Sequence, residues 1–399
     1  MSHDNELDKK TIKAAEQALD IKINFIVSDD TKLKALLAAK NPPDLVRGQG
    51  GLETPYLAAR DLMTDLDPYF AKSKVLTSSD LDPANDVWRF DGTKQGSGPR
   101  YGMCKDYAQD QMLWYRTDLF DAAKVDHLSE TEPTSYDELL DVGKRLVKRR
   151  LGKVKVYGLS AAEMGNFVQL AGMTASAGGS LFAEDLASVD FSSPEALKAL
   201  NWMIDYTKAD IGPNIVNPNP DGYDWPTYQA NRMAIARNGY WFGGQFAAEP
   251  KLAAVSRFVP APQFGGKRVS PCFSGTGYWI PKNAKNKDTA WKFFEWYFAG
   301  SVAQERATTG YGIPALKSLR EKMPQKTAPQ KQAFKVQQQE FPYYATIPFT
   351  PYVQVTSLEA VINQTLPGLI KSGATPGKVA DKLNSLMNEQ ISKGKRVVG

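Results

Sequence analysis

The stretch that decides the fold is IKINFIVSDDTKLKALLAAKNPPDLVRGQGG, residues 21–51. Residues 21–27 alternate between apolar and polar side chains, which predicts a β-strand. Residues 31–40 carry leucines on one face and predict a helix, which the Asn-Pro-Pro that follows would stop. Residues 44–46 predict a short buried strand, and 47–51 a polar, glycine-rich loop. The alternation of strand and helix predicts an α/β fold, in which such loops lie where ligands bind.

The composition indicates a globular chain of more than one domain. A length of 399 residues predicts about two or three domains. Hydrophobic residues make up 42% and charged residues 23%, and the net charge of +5 is small for this size. The chain contains 8 Trp, 17 Tyr and 18 Phe. Flat apolar rings beside polar groups are what a sugar-binding cleft needs.

Several function classes are disfavoured by the residues that are scarce. The two histidines rule out an HExxH zinc site and argue against histidine-based catalytic triads. Two cysteines provide neither a disulfide framework nor a cysteine-rich metal site, so no metal or cofactor is expected. The N-terminus shows no signal segment, which by itself indicates a cytoplasmic or an already processed protein.

Further elements are predicted along the chain by local signals. Ser135 with Glu138 has the spacing of a capping box, and Ser193 before Pro194 also marks a helix start. Asp288 is expected to cap a helix over 289–299 that Gly300 ends. The remaining predictions are strands at 101–104 and 275–281, a loop over 211–224, and helices over 6–19 and 355–392, the last with breaks near Pro367 and residues 372–373.

Seven local patterns occur together in one order, and together they resemble the extracellular solute-binding proteins of the maltose-binding-protein type. Each pattern alone is weak, but chance would not also preserve their order. They lie at residues 40–46, 62–69, 91–102, 113–120, 134–139, 228–241 and 275–294.

The resemblance implies a two-lobed periplasmic-binding-protein-like fold of type II, with lobes joined by crossing hinge strands. Residues 1–105 and 272–320 would form the N-terminal lobe, and 106–271 and 321–399 the C-terminal lobe. It further implies an extracytoplasmic monomer, periplasmic or lipid-anchored, that closes by hinge motion on a mono- or oligosaccharide. The protein would pass this sugar to the permease subunits of an ABC importer without performing chemistry.

The sequence departs from the family pattern in a few places. The hydrophobic strand that opens the family's first lobe, and the signal segment before it, are missing, so we expect a trimmed or misassigned start. Cys104 replaces the usual Pro in the crossover, while Arg116 and Thr117 stand where Asn and Lys are usual.

Candidate ligand-binding residues come from both halves of the chain. Trp241 lies where the resemblance places an aromatic ring that stacks on sugar. Arg47, Gln49 and Glu53 follow a predicted strand, and their planar or charged groups suit vicinal hydroxyls. The other candidates, with solvated-loop or core roles as the alternative, are Asp106, Tyr107, Gln109, Asn166, Trp225, Thr276, Tyr311 and Tyr352.

Some alternatives stay open at this point. Cys104 and Cys272 lie on the segments that the resemblance makes hinge strands, where they would form either a disulfide or two buried thiols. Seven Lys or Arg between residues 144 and 155 are expected to extend the polar face of a helix into a turn, and no nucleic-acid partner is expected because stacking aromatics are absent there.

Three other functions compete with sugar capture. A carbohydrate-active enzyme would need two carboxylates across a cleft, for which Asp106 and Glu53 could be proposed. The same fold could bind another solute, such as a polyamine, a phosphonate or a metal. A sensory partner of a membrane receptor is also compatible with the sequence.

Overall fold

The computed structural model describes residues 1–3, 6–161 and 165–398 of the chain, and it divides the chain into two compact units. Unit 1 comprises Met1–Tyr107, Ser274–Thr308 and Ile313–Met323. Unit 2 comprises Ala108–Phe273, Thr309–Gly312 and Pro324–Gly399. Each unit is therefore assembled from segments that are distant in sequence.

Helices and strands alternate over most of the chain. The helices are α1 (Lys9–Leu19), α2 (Asp30–Ala38), α3 (Gly50–Ala58), α4 (Asp67–Phe70), α5 (Thr117–Ala123), α6 (Tyr136–Leu146), α7 (Asn166–Ser176), α8 (Pro194–Ala209), α9 (Asp224–Gln229), α10 (Pro250–Ala254), α11 (Lys287–Phe298), α12 (Gly300–Ala307), α13 (Ala328–Glu340), α14 (Val355–Lys371) and α15 (Pro376–Val398). Short 3₁₀ helices occupy Pro83–Trp88, Tyr240–Ala248, Lys317–Lys322 and Phe341–Tyr343.

The strands are short and belong to several small sheets. They are β1 (Val46–Gln49), β2 (Arg89–Phe90), β3 (Gln95–Arg100), β4 (Gly102–Cys104), β5 (Asp106–Tyr107), β6 (Leu113–Arg116), β7 (Lys148–Arg150), β8 (Lys153–Val156), β9 (Ile235–Arg237), β10 (Ser256–Val259), β11 (Ser270–Cys272), β12 (Thr276–Trp279), β13 (Ile313–Pro314) and β14 (Tyr344–Thr346).

Unit 1 is built around a three-stranded sheet in the order β1-β12-β4, in which both pairings are antiparallel. Its core contains large aromatic side chains, among them the fully buried Trp88 and Trp279. The indole N–H of Trp88 donates to the carbonyl of Gly275 at 3.0 Å, so a buried polar group is satisfied within that core.

The glycine-rich segment after residue 46 is not a loop, so that prediction was wrong. β1 extends to Gln49 and pairs with β12 along its whole length, and α3 begins at Gly50. The glycines serve packing instead: a Cβ at Gly50 would lie 2.6 Å from the Trp88 ring, and one at Gly48 would lie 3.1 Å from the Trp279 indole nitrogen. Absence of a side chain lets the backbone approach both indoles.

The strand predicted at residues 21–27 was also wrong. Residues 21–26 are irregular, and Val27 pairs with Ser2 in an isolated parallel bridge. Met1, the residue before Ser2, contacts β1 instead: the Arg47 backbone N–H donates to the Met1 carbonyl at 2.9 Å. One bridging residue does not make a ladder, so alternation of side chains was not sufficient to produce a strand.

The helix starts set by local signals were confirmed. Ser135 precedes α6 and its hydroxyl accepts the Glu138 backbone N–H at 3.1 Å. Ser193 precedes α8 and accepts the Ala196 N–H at 3.3 Å, with Pro194 at the first helical position. Both caps satisfy N–H groups that lack a partner within their own helix.

Two predicted helix boundaries were wrong. Asp288 does not cap α11, because the helix already begins at Lys287; its carboxylate accepts the Tyr69 hydroxyl at 3.2 Å instead. α14 continues through Pro367, whereas the predicted break at residues 372–373 is present after Lys371. Gly373 there has a φ of 71°, a left-handed conformation that favours glycine.

Unit 2 is built around a second antiparallel sheet, in the order β10-β6-β9. Trp114 on the central strand packs against Phe258 and Phe246, with ring centroids 4.7 and 5.1 Å away. Helices α7, α8, α14 and α15 pack side by side in this unit. The loop over residues 211–224 follows α8 and carries most of the site described below.

The basic run was predicted as a helix face that leads into a turn, and this was only partly right. α6 ends at Leu146, and residues 148–156 form the antiparallel hairpin of β7 and β8. Cys104 and Cys272 are both buried and are not joined by a disulfide, so the structure has the two buried thiols of the second alternative. Burial raises the pKa of the Cys104 thiol, which keeps the group protonated.

Candidate functional site

A cavity of about 290 Å³ lies in unit 2, near the lower end of the volumes usual for small-molecule sites. Its wall is formed by the 211–224 loop together with the first residue of α7 and one residue of α14. It is lined by Asn166, Asn214, Ile215, Pro218, Asn219, Gly222, Tyr223, Asp224 and Asn363.

Asparagine side chains fix the conformation of the loop. The carboxamide oxygen of Asn214 accepts the backbone N–H groups of Val216 and Asn217, each at 2.9 Å. Asn219 does the same for Asp221 at 3.0 Å, and its amide N–H donates to the Tyr223 carbonyl at 3.0 Å. These local bonds replace the ladder bonds that an irregular segment lacks, so the loop presents its side chains in a defined arrangement.

Asp224 ends the loop and starts α9, where it is almost completely buried. Its carboxylate accepts the Ser160 hydroxyl at 2.7 Å and the Asn238 amide at 3.1 Å, with Asn219 at 3.4 Å. Burial raises the pKa of Asp224 to about 6, although these hydrogen bonds and the charge of Arg237 act in the opposite direction. The hydrogen bonds therefore fix the position of the carboxyl group, and burial shifts the loss of its proton to a higher pH than in an ordinary aspartate.

The opposite wall is positioned by Glu359 on α14. Its two carboxylate oxygens accept the backbone N–H groups of Asn166 and Phe167, each at 2.7 Å, and so cap the start of α7. One turn further along α14, Asn363 accepts the Asn166 amide at 2.9 Å. A Cβ at Gly165 would lie 2.8 Å from the Glu359 carboxylate, which explains the glycine at that position.

The chemistry of this wall suits a neutral polyhydroxylated ligand. Each Asn amide has two donors and two acceptor lone pairs, and the Asn166–Asn363 bond uses one of them on each side chain. Tyr223 lines the cavity and is 47% exposed, so its ring can contact the C–H surface of a ligand. Among the described residues that line the cavity, Asp224 is the only one with a carboxyl group.

The sequence-predicted candidates in unit 2 fall into different places. Asn166 lines the cavity, and Trp225 directly follows Asp224 in α9. Trp225 and the half-buried Trp241 both pack edge-on against Phe242, with ring centroids at 5.5 and 5.7 Å. Both predicted indoles therefore contact the Phe242 ring. Their roles in ligand binding stay predictions.

The other candidates of unit 2 lie elsewhere. Gln109 is fully buried, where its amide donates to the Glu340 carbonyl at 2.8 Å. Tyr311 is 45% exposed and passes close to Gly244, whose added Cβ would meet the Tyr311 ring at 2.7 Å. Tyr352 precedes α14 in the chain and contacts the last turns of α15, where the Lys395 ammonium is 5.6 Å from its ring centroid. A ligand contact remains a prediction for each of them.

Several candidates of unit 1 are occupied by internal contacts. The Arg47 guanidinium binds the Glu6 carboxylate at 3.0 Å, and Asp106 accepts Lys105 at 2.6 Å. The Tyr107 hydroxyl, which is buried, donates to Asp82 at 3.0 Å. These three side chains would have to exchange a protein partner for a ligand.

The remaining candidates of unit 1 lie together on β1, α3 and β12. Gln49 and Thr276 are opposite each other in the ladder, and the Gln49 N–H donates to Glu53 at 3.1 Å. Burial raises the pKa of Glu53 to about 7, against the lowering effects of the Gln49 N–H and the Arg47 charge. Glu53 is therefore a carboxyl that changes charge near neutral pH.

Sequence reasoning missed most of the cavity wall. Asn214, Asn219, Tyr223 and Asp224 were included only as parts of a Pro/Asn/Asp/Gly-rich loop, and Asn363 as part of a helix. The density of asparagine in residues 214–219 was the available signal, since amides in a loop serve both turns and ligands.

Among the described residues, no group of three or more His, Cys, Asp or Glu side chains is arranged to hold a metal ion. Within the same part of the chain, no helix combines the length and apolar character needed to cross a bilayer.

The fold and the cavity together define a two-unit solute-binding protein. Residues 3–299 match the family described as bacterial extracellular solute-binding protein, so the chain belongs to that family. No curated protein matches the chain.

Solved structures with the same fold cover nearly the whole chain. An ABC transporter solute-binding protein from Thermotoga lettingae, bound with α-D-tagatose, is 22% identical, with a TM-score of 0.81 over 98% of this chain and 97% of that one. A substrate-binding protein from Listeria monocytogenes in complex with cycloalternan is 22% identical, with a TM-score of 0.79 over 97% and 96%. One from Agrobacterium vitis with bound D-mannitol is 18% identical, with a TM-score of 0.75 over 98% and 95%. At these identities the likeness establishes the fold.

Proposed function

We propose that this protein reversibly captures a neutral mono- or oligosaccharide and delivers it, unchanged, to an ABC importer. The observation that carries the proposal is the unit 2 cavity, whose wall combines four Asn amides, one carboxyl group and a half-exposed tyrosine ring. Apart from the bond between them, the Asn166 and Asn363 amides can bind adjacent hydroxyls, while the Tyr223 ring covers the C–H face of a pyranose; Asn214, Asn219 and Asp224 hold the wall in shape through their internal bonds.

The similar proteins support this ligand class. Those from Thermotoga lettingae, Listeria monocytogenes and Agrobacterium vitis were solved with a ketose, a cyclic oligosaccharide and a sugar alcohol. These ligands share a high density of hydroxyl groups and lack charge. The amide-rich wall of this chain has the matching chemistry.

The competing solutes fit this wall less well. An anionic ligand such as a phosphonate would meet the Asp224 carboxylate without a lysine or arginine among the described lining residues. A polyamine would need several carboxylates, and Asp224 supplies one. Neutral hydroxyls are satisfied by the amides without any charge partner.

We infer that the protein is not an enzyme. The two carboxyl groups considered from the sequence are separately occupied: Asp106 pairs with Lys105, and Glu53 accepts the Gln49 N–H. A glycosidase requires one carboxyl group on each side of the scissile bond, and Asp224 stands alone among the described lining residues.

The biological setting follows from the family. The family supports a place outside the cytoplasmic membrane; that the protein acts there as a monomer and presents the loaded sugar to membrane permease subunits is part of our proposal. Hinge closure on the ligand stays a prediction, and small-angle scattering with and without the bound sugar checks it: a decrease in radius of gyration is expected.

A thermal-shift screen tests the proposal most cheaply. A library of neutral sugars, polyamines and phosphonates is added to the wild type, because a ligand that binds only the folded state raises the melting temperature. We expect a neutral sugar to give the largest rise and to be recovered intact by mass spectrometry. A rise with only charged solutes, or release of cleaved sugar, would contradict the proposal.

A further inference from the structure

Unit 2 carries an exposed basic hairpin, formed by β7 and β8, none of whose residues line the cavity. β7 and β8 pair antiparallel, and the run from Lys144 to Lys155 contains seven Lys or Arg, all of them exposed. The sequence from 142 to 161 contains no Asp or Glu. This segment therefore presents a continuous positive surface on a chain whose net charge is only +5.

The tip of the hairpin is unusual in both conformation and exposure. Leu151 has a φ of 51°, in the left-handed region that favours glycine or asparagine, and Gly152 follows with a φ of 75°. The Leu151 side chain is 92% exposed. A leucine there neither favours the turn conformation nor packs in the core, so its apolar side chain is available to a partner.

Most of the positive charge is not neutralised within the protein. Arg149 pairs with Asp210 at 3.2 Å, and Lys144 with Asp141 at 3.0 Å. In the part of the chain that the structure describes, the other basic side chains of the run form no ion pair; they are Arg145, Lys148, Arg150, Lys153 and Lys155.

We propose that the β7–β8 hairpin docks on an anionic phospholipid surface, with Leu151 inserted between the headgroups. An apolar side chain surrounded by cations is the arrangement that an anionic membrane interface recognises, since the interior takes the side chain and the phosphates take the charges. Each basic residue near such a surface strengthens binding by about fivefold.

A nucleic acid partner fits the hairpin less well. Phosphates could pair with the same cations, but residues 148–156 include no aromatic ring for base stacking. Leu151 would gain nothing from a polyanion in water. The apolar tip therefore distinguishes the two partners and defines the experiment.

Vesicle co-sedimentation tests this proposal directly. The full chain is mixed with phosphatidylcholine vesicles with and without phosphatidylglycerol, at about 0.1 and 1 M sodium chloride, where charge screening differs most. The charge variant is K148E/R150E/K153E. Its matched control is K371E/K378E/K382E, which changes the net charge equally at three exposed lysines of α14 and α15. Leu151→Asn removes the apolar tip while keeping a residue that tolerates the turn.

We expect the wild-type protein to sediment with the vesicles that contain phosphatidylglycerol, at the lower salt concentration, and not with phosphatidylcholine vesicles. The hairpin charge variant should lose about a hundredfold in binding or more, the control should lose much less, and Leu151→Asn should lose about tenfold without a lower melting temperature. The proposal is overturned by absence of sedimentation, by equal losses in hairpin and control variants, or by an unchanged Leu151→Asn. Tighter binding to a single-stranded oligonucleotide that is indifferent to Leu151 would identify a nucleic acid instead.

Discussion

Asp224 connects the loop of the cavity to the folded core of unit 2, through its bonds to Ser160, Asn219 and Asn238. Its carboxyl is almost fully buried, so the charged form is disfavoured and its pKa is raised to about 6. The folded protein consequently retains a proton at pH values where the unfolded chain has lost it.

The sign of the resulting pH effect follows from linkage. For a carboxyl whose pKa is raised on folding, stability is greatest below the unfolded pKa and decreases as pH rises toward the folded pKa, here by up to about 3 kcal/mol. Asp224→Asn removes this titration, and Asn238 can reverse its amide to accept from the new side chain. We expect the melting temperature of the variant, relative to wild type, to increase between about pH 4 and pH 7. Scanning fluorimetry at both pH values measures it.

The control for this prediction is Asp381→Asn, an equal charge change at an exposed position of α15. Its melting temperature relative to wild type should vary little over the same range. A constant offset between Asp224→Asn and wild type at both pH values would mean that the buried carboxyl does not titrate there.

At the scale of elements, β12 is the strand on which the unit 1 sheet depends, because it lies between β1 and β4. Gly277 faces Met103 on β4 so closely that an added Cβ would lie 1.8 Å from the Met103 carbonyl oxygen. Gly277→Ala should therefore separate the two strands and destabilise unit 1 by about 3 kcal/mol or more. Thermal unfolding, followed by tryptophan fluorescence, is the measurement.

Gly368→Ala is the matched control for that substitution. Gly368 lies inside α14 where an added Cβ would meet no neighbouring atom, so alanine should stabilise the helix by about 0.5–1 kcal/mol. If Gly277→Ala melted at the same temperature as wild type, the close contact of β12 and β4 would be wrong.

The start of α7 gives an element-scale prediction about the cavity. Glu359→Ala leaves the Asn166 and Phe167 N–H groups without their acceptor, which should cost about 1–3 kcal/mol and displace the Asn166 amide. Sugar affinity should fall about tenfold, while Glu359→Gln, which keeps one acceptor, should lose less. Titration calorimetry compares them, and equal affinities for the Ala variant and wild type would disprove a positioning role.

The same elements show which features of the fold can be predicted from local sequence and which cannot. The caps at Ser135 and Ser193 were predicted because their donors lie within three residues. The strand at 21–27 failed because strand formation depends on a partner that alternation does not reveal. The glycines at 48 and 50 were misassigned to a loop, since their reason lies in Trp279 and Trp88, which are far away in sequence.

The candidate site was limited by the same distance problem. Asn166 was selected from the sequence and lines the cavity, but Asn363, its hydrogen-bond partner, is 197 residues away. Tyr223 and Asp224 carry no local motif, because a sugar site requires only that amides, a carboxyl and a ring converge in space. Family resemblance identified the fold, whereas the cavity wall depends on contacts between residues that are distant in sequence.

At the scale of the whole molecule, the chain is a two-unit member of the bacterial extracellular solute-binding proteins. Its cavity in unit 2 and its basic hairpin are separate features with separate tests. Failure of vesicle binding would leave sugar capture intact, and failure of sugar binding would leave the hairpin proposal intact.

The central claim is that a neutral sugar binds in the unit 2 cavity, against Tyr223. Titration calorimetry of wild type, Tyr223→Phe and Tyr223→Ala with the sugar found by the thermal screen tests it most directly. Because the phenyl ring keeps the stacking surface, we expect Tyr223→Phe to retain most of the affinity and Tyr223→Ala to lose about ten- to hundredfold, with melting temperatures of the free proteins unchanged. Equal affinity of all three proteins, or no heat of binding with any neutral sugar, would contradict the account.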